Sequence, residues 1–439
     1  MSINYCEKER VFTLQTQNAT YQMIVDSHGY LLHCYYGAKI ERQNLSYCIQ
    51  PQDRGFAANP PDAAGDRTLS PDTLPQEYST FGVGDFRESC LDVRDKNGGV
   101  AADLRYGSYR IYPGKKPLNG LPAAYGNEKD VDTLEIDLRD KVSGLVVTLR
   151  YSVFAQWDVI ARSAEIFNRG TGVLILERAL SCCLDEPVPA SRDILTFYGR
   201  HMGERNLERM PLRHGKFRVD SMRGASSPHY NPFVILCDSA ATETAGNCWA
   251  FSLVYSGNFI AQAEVDQIDT LRFVMGIAPQ NFSWELKPGA SFQAPEVLLC
   301  FSDYGFDALS NRLNGFQMQH LVRGKYRTER CPILVNNWEA TYFDFDEERL
   351  LALAREAKEV GIEMLVLDDG WFGERNDDTT SLGDWFVNRQ KLPDGLAGFG
   401  AKLRALGLQF GLWFEPEMVS PISCLMEQHP DWCLHIPGR

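Results

Sequence analysis

The hydrophobic period changes once along this chain, and that change limits the folds open to it. From about Val11 to Phe301 the apolar residues come in short alternating runs broken by Gly, Asn and Asp, which is the pattern of strands and turns. After Cys331 short apolar runs alternate with helical periods. One polypeptide therefore carries an all-β region followed by an α/β region. In the first, the run from Tyr21 to Tyr36 breaks at His28-Gly29, and the run before Asn97-Gly98-Gly99 resumes at Val100. Each reads as a hairpin with a positive-φ residue in its turn. The stretches Thr133 to Leu138, Leu145 to Phe154 and Val159 to Phe167 continue the pattern, and so many strands predict a large antiparallel sandwich.

Between Pro51 and Arg87 prolines and glycines punctuate a long excursion that still holds Asp53, Phe56, Tyr78, Phe81 and Phe86, and its aromatics favour an ordered loop. Phe306, Leu309, Leu313 and Phe316 have helical spacing, predicting a linker helix over about 306–322 that ends in the polar stretch from Lys325 to Arg330. In the α/β region, Ile333, Leu334 and Val335 predict a short buried strand. Asp344 with Glu347 three residues on resembles a capping box opening a helix that Gly361 closes. A second strand, Met364 to Leu367, runs into Asp368-Asp369-Gly370-Trp371. A helix from Leu396 to Leu406 ends at Gly407, and a third strand, Leu408 to Phe414, runs into Glu415-Pro416-Glu417.

Composition narrows the partners. With 44 Lys+Arg against 58 Asp+Glu, the net charge of −14 lacks the basic footprint that nucleic acid or anionic lipid requires. No apolar run reaches the roughly 18 residues of a membrane span. The N-terminus carries Glu7, Lys8, Glu9 and Arg10 where a signal peptide needs an apolar core, so the twelve cysteines are expected to be reduced thiols in the cytoplasm. No CxxC or HxxxH spacing marks a zinc site.

In parallel α/β folds ligands sit at the carboxyl ends of the strands. Three such ends converge here: Asn336, Asn337 and Trp338; Asp368 and Asp369; and Trp413, Glu415 and Glu417. Carboxylates, amides and tryptophans together suit a sugar, whose hydroxyls take paired donors and acceptors while its apolar face packs on a ring. The competing reading makes Asp368 a turn cap and Trp338, Trp371, Trp385 and Trp413 core residues. A phosphate site is disfavoured because Asp-Asp-Gly-Trp-Phe-Gly is acidic where phosphate needs positive charge. A metal hydrolase using Asp368, Asp369 and Glu415 is disfavoured because no histidine falls at a strand end.

The string Asn336-Asn337-Trp338-Glu339-Ala340-Thr341-Tyr342-Phe343, then Asp368-Asp369-Gly370-Trp371-Phe372, Leu382-Gly383-Asp384-Trp385 and Gly411-Leu412-Trp413-Phe414-Glu415-Pro416-Glu417-Met418, resembles the bacterial α-galactosidases of glycoside hydrolase family 36. Pro51-Gln52-Asp53-Arg54, Leu74-Pro75-Gln76-Glu77-Tyr78 and Val254-Tyr255-Ser256-Gly257-Asn258-Phe259 are similar to that family's sandwich domain, so the resemblance covers essentially the whole chain. It implies a β-supersandwich, then a (β/α)8 TIM barrel, then a small C-terminal β domain; of these the period along this chain gives the sandwich over residues 1–323 and, over 324–439, the first three βα units of an incomplete barrel. It also implies a homotetramer that hydrolyses terminal α-galactosyl units of melibiose and raffinose-type oligosaccharides with retention; from the residues, no metal or cofactor is expected. Carried over by position, Asp368 and Asp369 bind galactose hydroxyls, Trp338 and Trp413 wall the pocket, and Asp53 reaches a neighbouring subunit's site. His201 stands where the family often has a tryptophan. The family's nucleophile and acid/base aspartates lie on later barrel strands, beyond Arg439, so this chain is expected to be inactive by itself. Residues alone nominate Glu415 with Glu417, on one strand face at i and i+2, or Asp368 with Glu415. A non-catalytic carbohydrate-binding or assembly module is the alternative.

Overall fold

The computed structural model describes residues 2–55, 59–187, 192–226 and 228–439, so Phe56 of the long excursion lies outside the described residues. The chain divides into two compact units, Met1–Arg323 and Gly324–Arg439.

In the first unit the strands form antiparallel sheets. The largest runs from Gly203–Pro211 at one edge through Arg192–Arg200, Tyr230–Asp238, Cys248–Val254, Glu296–Ser302, Val159–Asn168, Leu145–Phe154 and Asp132–Arg139 to Arg105–Pro113. A six-stranded sheet is built around Leu174–Pro187 and Thr270–Ile277, and a four-stranded one joins Ile3–Cys6, Val11–Gln15, Ala19–Val25 and Leu31–Ala38. Alternate residues of all three sheets, among them Leu14, Tyr21, Ile136, Leu149, Leu176 and Phe273, meet in one continuous core. Leu145–Phe154 is buried at every position rather than at every second one. Its other face is covered by polar pairs, with Arg150 Nε donating to Glu135 at 3.0 Å and Thr148 Oγ1 to Asp137 at 2.7 Å. Helix Gly305–His320 lays Leu309, Leu313 and Phe316 against Phe154 and Cys300. A Cβ on its Gly315 would come within 2.2 Å of the Trp157 ring, so only glycine lets the helix approach so closely.

Gly29, at φ 86°, turns Ala19–Val25 into Leu31–Ala38 as expected. The second expected hairpin does not form. Gly98 is in a turn at φ 83°, but Leu91–Asp95 pairs with Leu174–Pro187, and the next strand, Arg105–Pro113, pairs with Asp132–Arg139. Ala102 and Leu104 enter the core between them, and burying them outweighs the local pairing that the turn suggests.

In the excursion Tyr78 is buried in the core while Phe81 and Phe86 are exposed, and buried charged groups hold the segment as well. Arg87 Nη2 donates to the carbonyls of Pro71 at 2.9 Å and Leu74 at 2.8 Å. Glu77 is buried in the core, where it accepts from the Tyr21 and Tyr151 hydroxyls and pairs with Arg162 Nη1 at 2.9 Å and His33 Nδ1 at 3.3 Å.

The second unit is a parallel sheet of Leu334–Asn336, Met364–Leu367 and Gln409–Leu412, in that order, connected by helices Glu347–Glu359 and Gly395–Ala405. Leu350, Ala354, Leu365, Leu367, Phe399 and Leu403 form its core. The first strand is not buried: Leu334 is 52% exposed, because this outer strand pairs on one side only. The first helix is capped by Asp346, whose carboxylate accepts from Arg349 N at 2.9 Å, and not by Asp344. Phe345 and Leu350, on either side of that cap, both enter the core, and this hydrophobic staple selects the start. Both helices end as expected at glycines. Gly361 N bonds to Lys358 O with Ile362 N to Ala357 O, and Gly407 N bonds to Arg404 O with Leu408 N to Leu403 O.

Candidate functional site

The three parallel strands bring their carboxyl ends side by side. Asn336 pairs in register with Val366, and Leu367 with Leu412, so the residues after them open at one end of the sheet. Successive residues then point in opposite directions. Asn336 is exposed and its Nδ2 donates to Asp368 Oδ2 at 2.5 Å. Asn337 is fully buried, with its Oδ1 accepting from Asp368 N at 2.8 Å and its Nδ2 donating to Thr341 Oγ1 at 2.9 Å. The acidic pair divides the same way. Asp368 stands half-buried beside Asn336, whereas Asp369 is 7% exposed and grips Arg375, from Nε to Oδ1 at 3.0 Å and from Nη2 to Oδ2 at 2.9 Å. Its Oδ1 also accepts from Gly370 N at 2.7 Å. Of the four lone-pair positions a carboxylate offers, most are already used on Asp369.

Trp338 is half-buried at the first strand end, held edge-on by Tyr342 and Phe343 with ring centres 5.1 and 5.0 Å away. Trp413 follows the third strand and is likewise half-buried. Its carbonyl accepts from Trp371 Nε1 at 3.0 Å. Trp371 is a core residue, as the competing reading had it, and Trp385 packs on Phe372 at 4.6 Å. Glu415 and Glu417 do not share a strand face: the strand ends at Leu412, and Pro416 and Glu417 form a turn. Burial raises the pKa of Glu415, as do the charges of Glu417 and Asp369, against a smaller lowering by Arg375.

Asp53 and His201 belong to the first unit. Asp53 is exposed, pairs with Arg67 Nη2 at 2.9 Å and accepts from Gly55 N at 2.8 Å. His201 is exposed in the turn between Arg192–Arg200 and Gly203–Pro211. Two site residues escaped sequence reasoning: Arg375, and Lys391, whose Nζ donates to the carbonyls of Phe343, Gly370 and Arg375. Both sit in irregular segments without periodicity, so no sequence pattern marked them. Among the described residues no cluster of three or more His, Cys, Asp or Glu is placed to hold a metal ion, and no helix is long and apolar enough to cross a membrane.

An antiparallel sandwich is thus followed along the chain by parallel βα units whose strand ends carry amide, carboxylate and tryptophan side chains. Residues 29–287 match the glycosyl hydrolase family 36 N-terminal domain, and residues 291–439 match the melibiase model. The chain belongs to glycoside hydrolase family 36, and its fold is that family's β-supersandwich with the first three βα units of an incomplete (β/α)8 barrel. It is 49% identical to α-galactosidase AgaA of Geobacillus stearothermophilus, over 100% of this chain and 60% of the relative. The galactosidase domain of the α-galactosidase–sucrose kinase AgaSK superposes with a TM-score of 0.96 at 46% identity, over 100% of this chain and 60% of that one. A variant of AgaA solved in complex with raffinose superposes with a TM-score of 0.95 at 50% identity, over 98% of this chain and 60% of that one. The chain thus spans about three-fifths of the length of these relatives.

Proposed function

We propose that this chain serves the hydrolysis of terminal α-galactosyl residues, with retention, in melibiose and raffinose-type oligosaccharides. The observation that carries the reading is the alignment of Asn336, Asp368 and Trp413 at three adjacent strand ends, in a chain close to half identical to an α-galactosidase. Asp368 accepts hydrogen bonds from galactose hydroxyls, and Asp369 is assigned beside it as a second acceptor while it holds Arg375. Trp338 and Trp413 form apolar walls. Asp53 is assigned to a neighbouring subunit's site in a homotetramer, His201 is assigned to substrate binding at the position where the family often has a tryptophan, the compartment is the cytoplasm, and no metal or cofactor takes part. The nucleophile and acid/base are assigned to strands beyond Arg439, so the 439-residue polypeptide is inactive alone. Its three strands also suit the second reading, a non-catalytic sugar-binding or assembly module. Galactoside turnover measured beside sugar binding separates the two.

With the barrel completed by the corresponding continuation of a relative, Asp368→Ala is expected to cost about 2–5 kcal/mol in kcat/KM, the penalty for losing one partner of a charged hydrogen bond. Thermal stability should change far less. Unchanged kcat/KM would remove Asp368 from the site. In the same protein, Asp53→Ala should raise KM for tri- and tetrasaccharides more than for a small aryl galactoside. Equal effects on both substrates would make Asp53 a structural partner of Arg67 and nothing more.

We also propose Arg323 as a domain boundary. Residues 1–323 should unfold cooperatively on their own, because the sandwich core and the helix Gly305–His320 close within them. An insoluble product, beside a 439-residue chain that stays folded, would move the boundary.

A further inference from the structure

We propose that Lys391 is a positioning residue of the sugar site, locking the segment that presents Trp338 to the segment that presents Asp368 and Asp369. The inference rests on the reading of that site as the galactose-binding one. A lysine ammonium has three N–H bonds and no acceptor. Here Nζ donates to Phe343 O at 2.9 Å, Gly370 O at 3.0 Å and Arg375 O at 3.1 Å, so every donor is used. Phe343 packs edge-on against Trp338, whereas Gly370 directly follows Asp369 and Arg375 holds the Asp369 carboxylate. One nitrogen thus joins the two strand ends.

The rest of the residue is equally fixed. Its backbone N–H donates to Asn388 Oδ1 at 3.2 Å, and its carbonyl accepts from Glu347 N at 2.9 Å, at the start of the helix Glu347–Glu359. The ammonium also lies over the Phe345 ring, 4.6 Å from its centre. Gly370 completes the seat at φ 95°, where a Cβ would crowd Phe343 and Phe345 at 3.1 and 3.2 Å, so a side chain there would push its carbonyl away from Nζ.

Filling this space for stability alone calls for an apolar side chain, because a buried ammonium forfeits hydration that carbonyl dipoles only partly replace. Burial lowers the pKa of Lys391, and Asp369 and Asp344 oppose that lowering; Asp369 itself is bound to Arg375. A charged group kept among carbonyls, while the Asp369 carboxylate is committed to Arg375, specifies geometry. The geometry it specifies is the spacing between Trp338 and Asp368.

The test is a double-mutant cycle on the 439-residue chain, reading galactose affinity from tryptophan fluorescence. Lys391→Met should weaken binding about tenfold or more in the otherwise unaltered chain and less than about twofold in an Asp368→Asn background, because a positioning residue has little left to position there. A general loss of stability would weaken binding by the same factor in both backgrounds and overturn the inference, as would unaltered affinity of the single variant. Lys391→Arg, which keeps the charge but cannot place three N–H groups at one point, should match the methionine variant and serves in its place if that variant does not fold. If Asp368→Asn alone leaves affinity unchanged, the galactose reading fails and carries this inference with it. If Asp368→Asn weakens binding and Lys391→Met does not, only the inference fails.

Discussion

A polypeptide of these 439 residues is expected to give no turnover of an aryl α-galactoside above background. Retaining hydrolysis needs two carboxyl groups about 5 Å apart on opposite sides of the scissile bond, carried on a rigid frame. A closed barrel takes eight strands and about 250 residues, whereas the second unit has a three-stranded sheet within residues 324–439. The local candidates do not supply the pair. Asp369 is committed to Arg375, Asp368 is bonded to Asn336, and Glu415 and Glu417 lie past the end of their strand. The raised pKa of Glu415, from burial and then from Glu417, would suit a general acid, which makes the Glu415→Gln/Glu417→Gln double variant the proper control. Turnover by the purified chain that disappears in this variant would promote the glutamates to catalysts.

The largest effect on stability is expected at the centre of the sandwich. Arg162 and Glu77 are both fully buried and face each other at 2.9 Å. Arg162 also donates to the Glu77 carbonyl at 2.5 Å and to Cys183 O at 2.6 Å, tying the long excursion to the sheets. Glu77→Leu leaves the guanidinium without its anion and should destabilise the first unit by about 3–5 kcal/mol in urea unfolding. Adding Arg162→Met should recover much of that loss, since the unpaired charge is then gone. A single-variant loss below about 1 kcal/mol would mean that the pair is not the anchor. The same cluster sets a pH window. Burial by itself would lower the pKa of His33, but the Glu186 carboxylate 3.8 Å from Nε2 and the hydrogen bond between Nδ1 and Glu77 push it up to about 9. Because the folded value lies above the unfolded one, that stabilisation is complete below about pH 6.5 and is lost as the pH rises through 9. Stability should therefore fall between neutral pH and pH 9 in the parent protein, and the fall should shrink in His33→Gln.

The strands and helices were largely legible because their signals are local. Leu145–Phe154 and Met364–Leu367 are bounded as their apolar runs suggest, and Gly361 and Gly407 close their helices through carbonyls one turn away. Misreadings came where burial in the core prevailed over the local signal. Asn97-Gly98 makes its turn, yet the strand before it pairs with Leu174–Pro187, and Asp344 loses the cap to Asp346 because Phe345 and Leu350 must meet in the core. The candidate site divides along the same line. Its residue types and its place at strand ends follow from period and order along the chain. That Asn336 and Asp368 face outward while Asn337 and Asp369 turn inward, and that Arg375 and Lys391 hold them there, depends on groups distant in sequence or set in irregular loops. A short-range period specifies which segments extend and where they end. Side-chain direction and ion pairing at those ends come from packing contacts that exist only once the strands lie side by side.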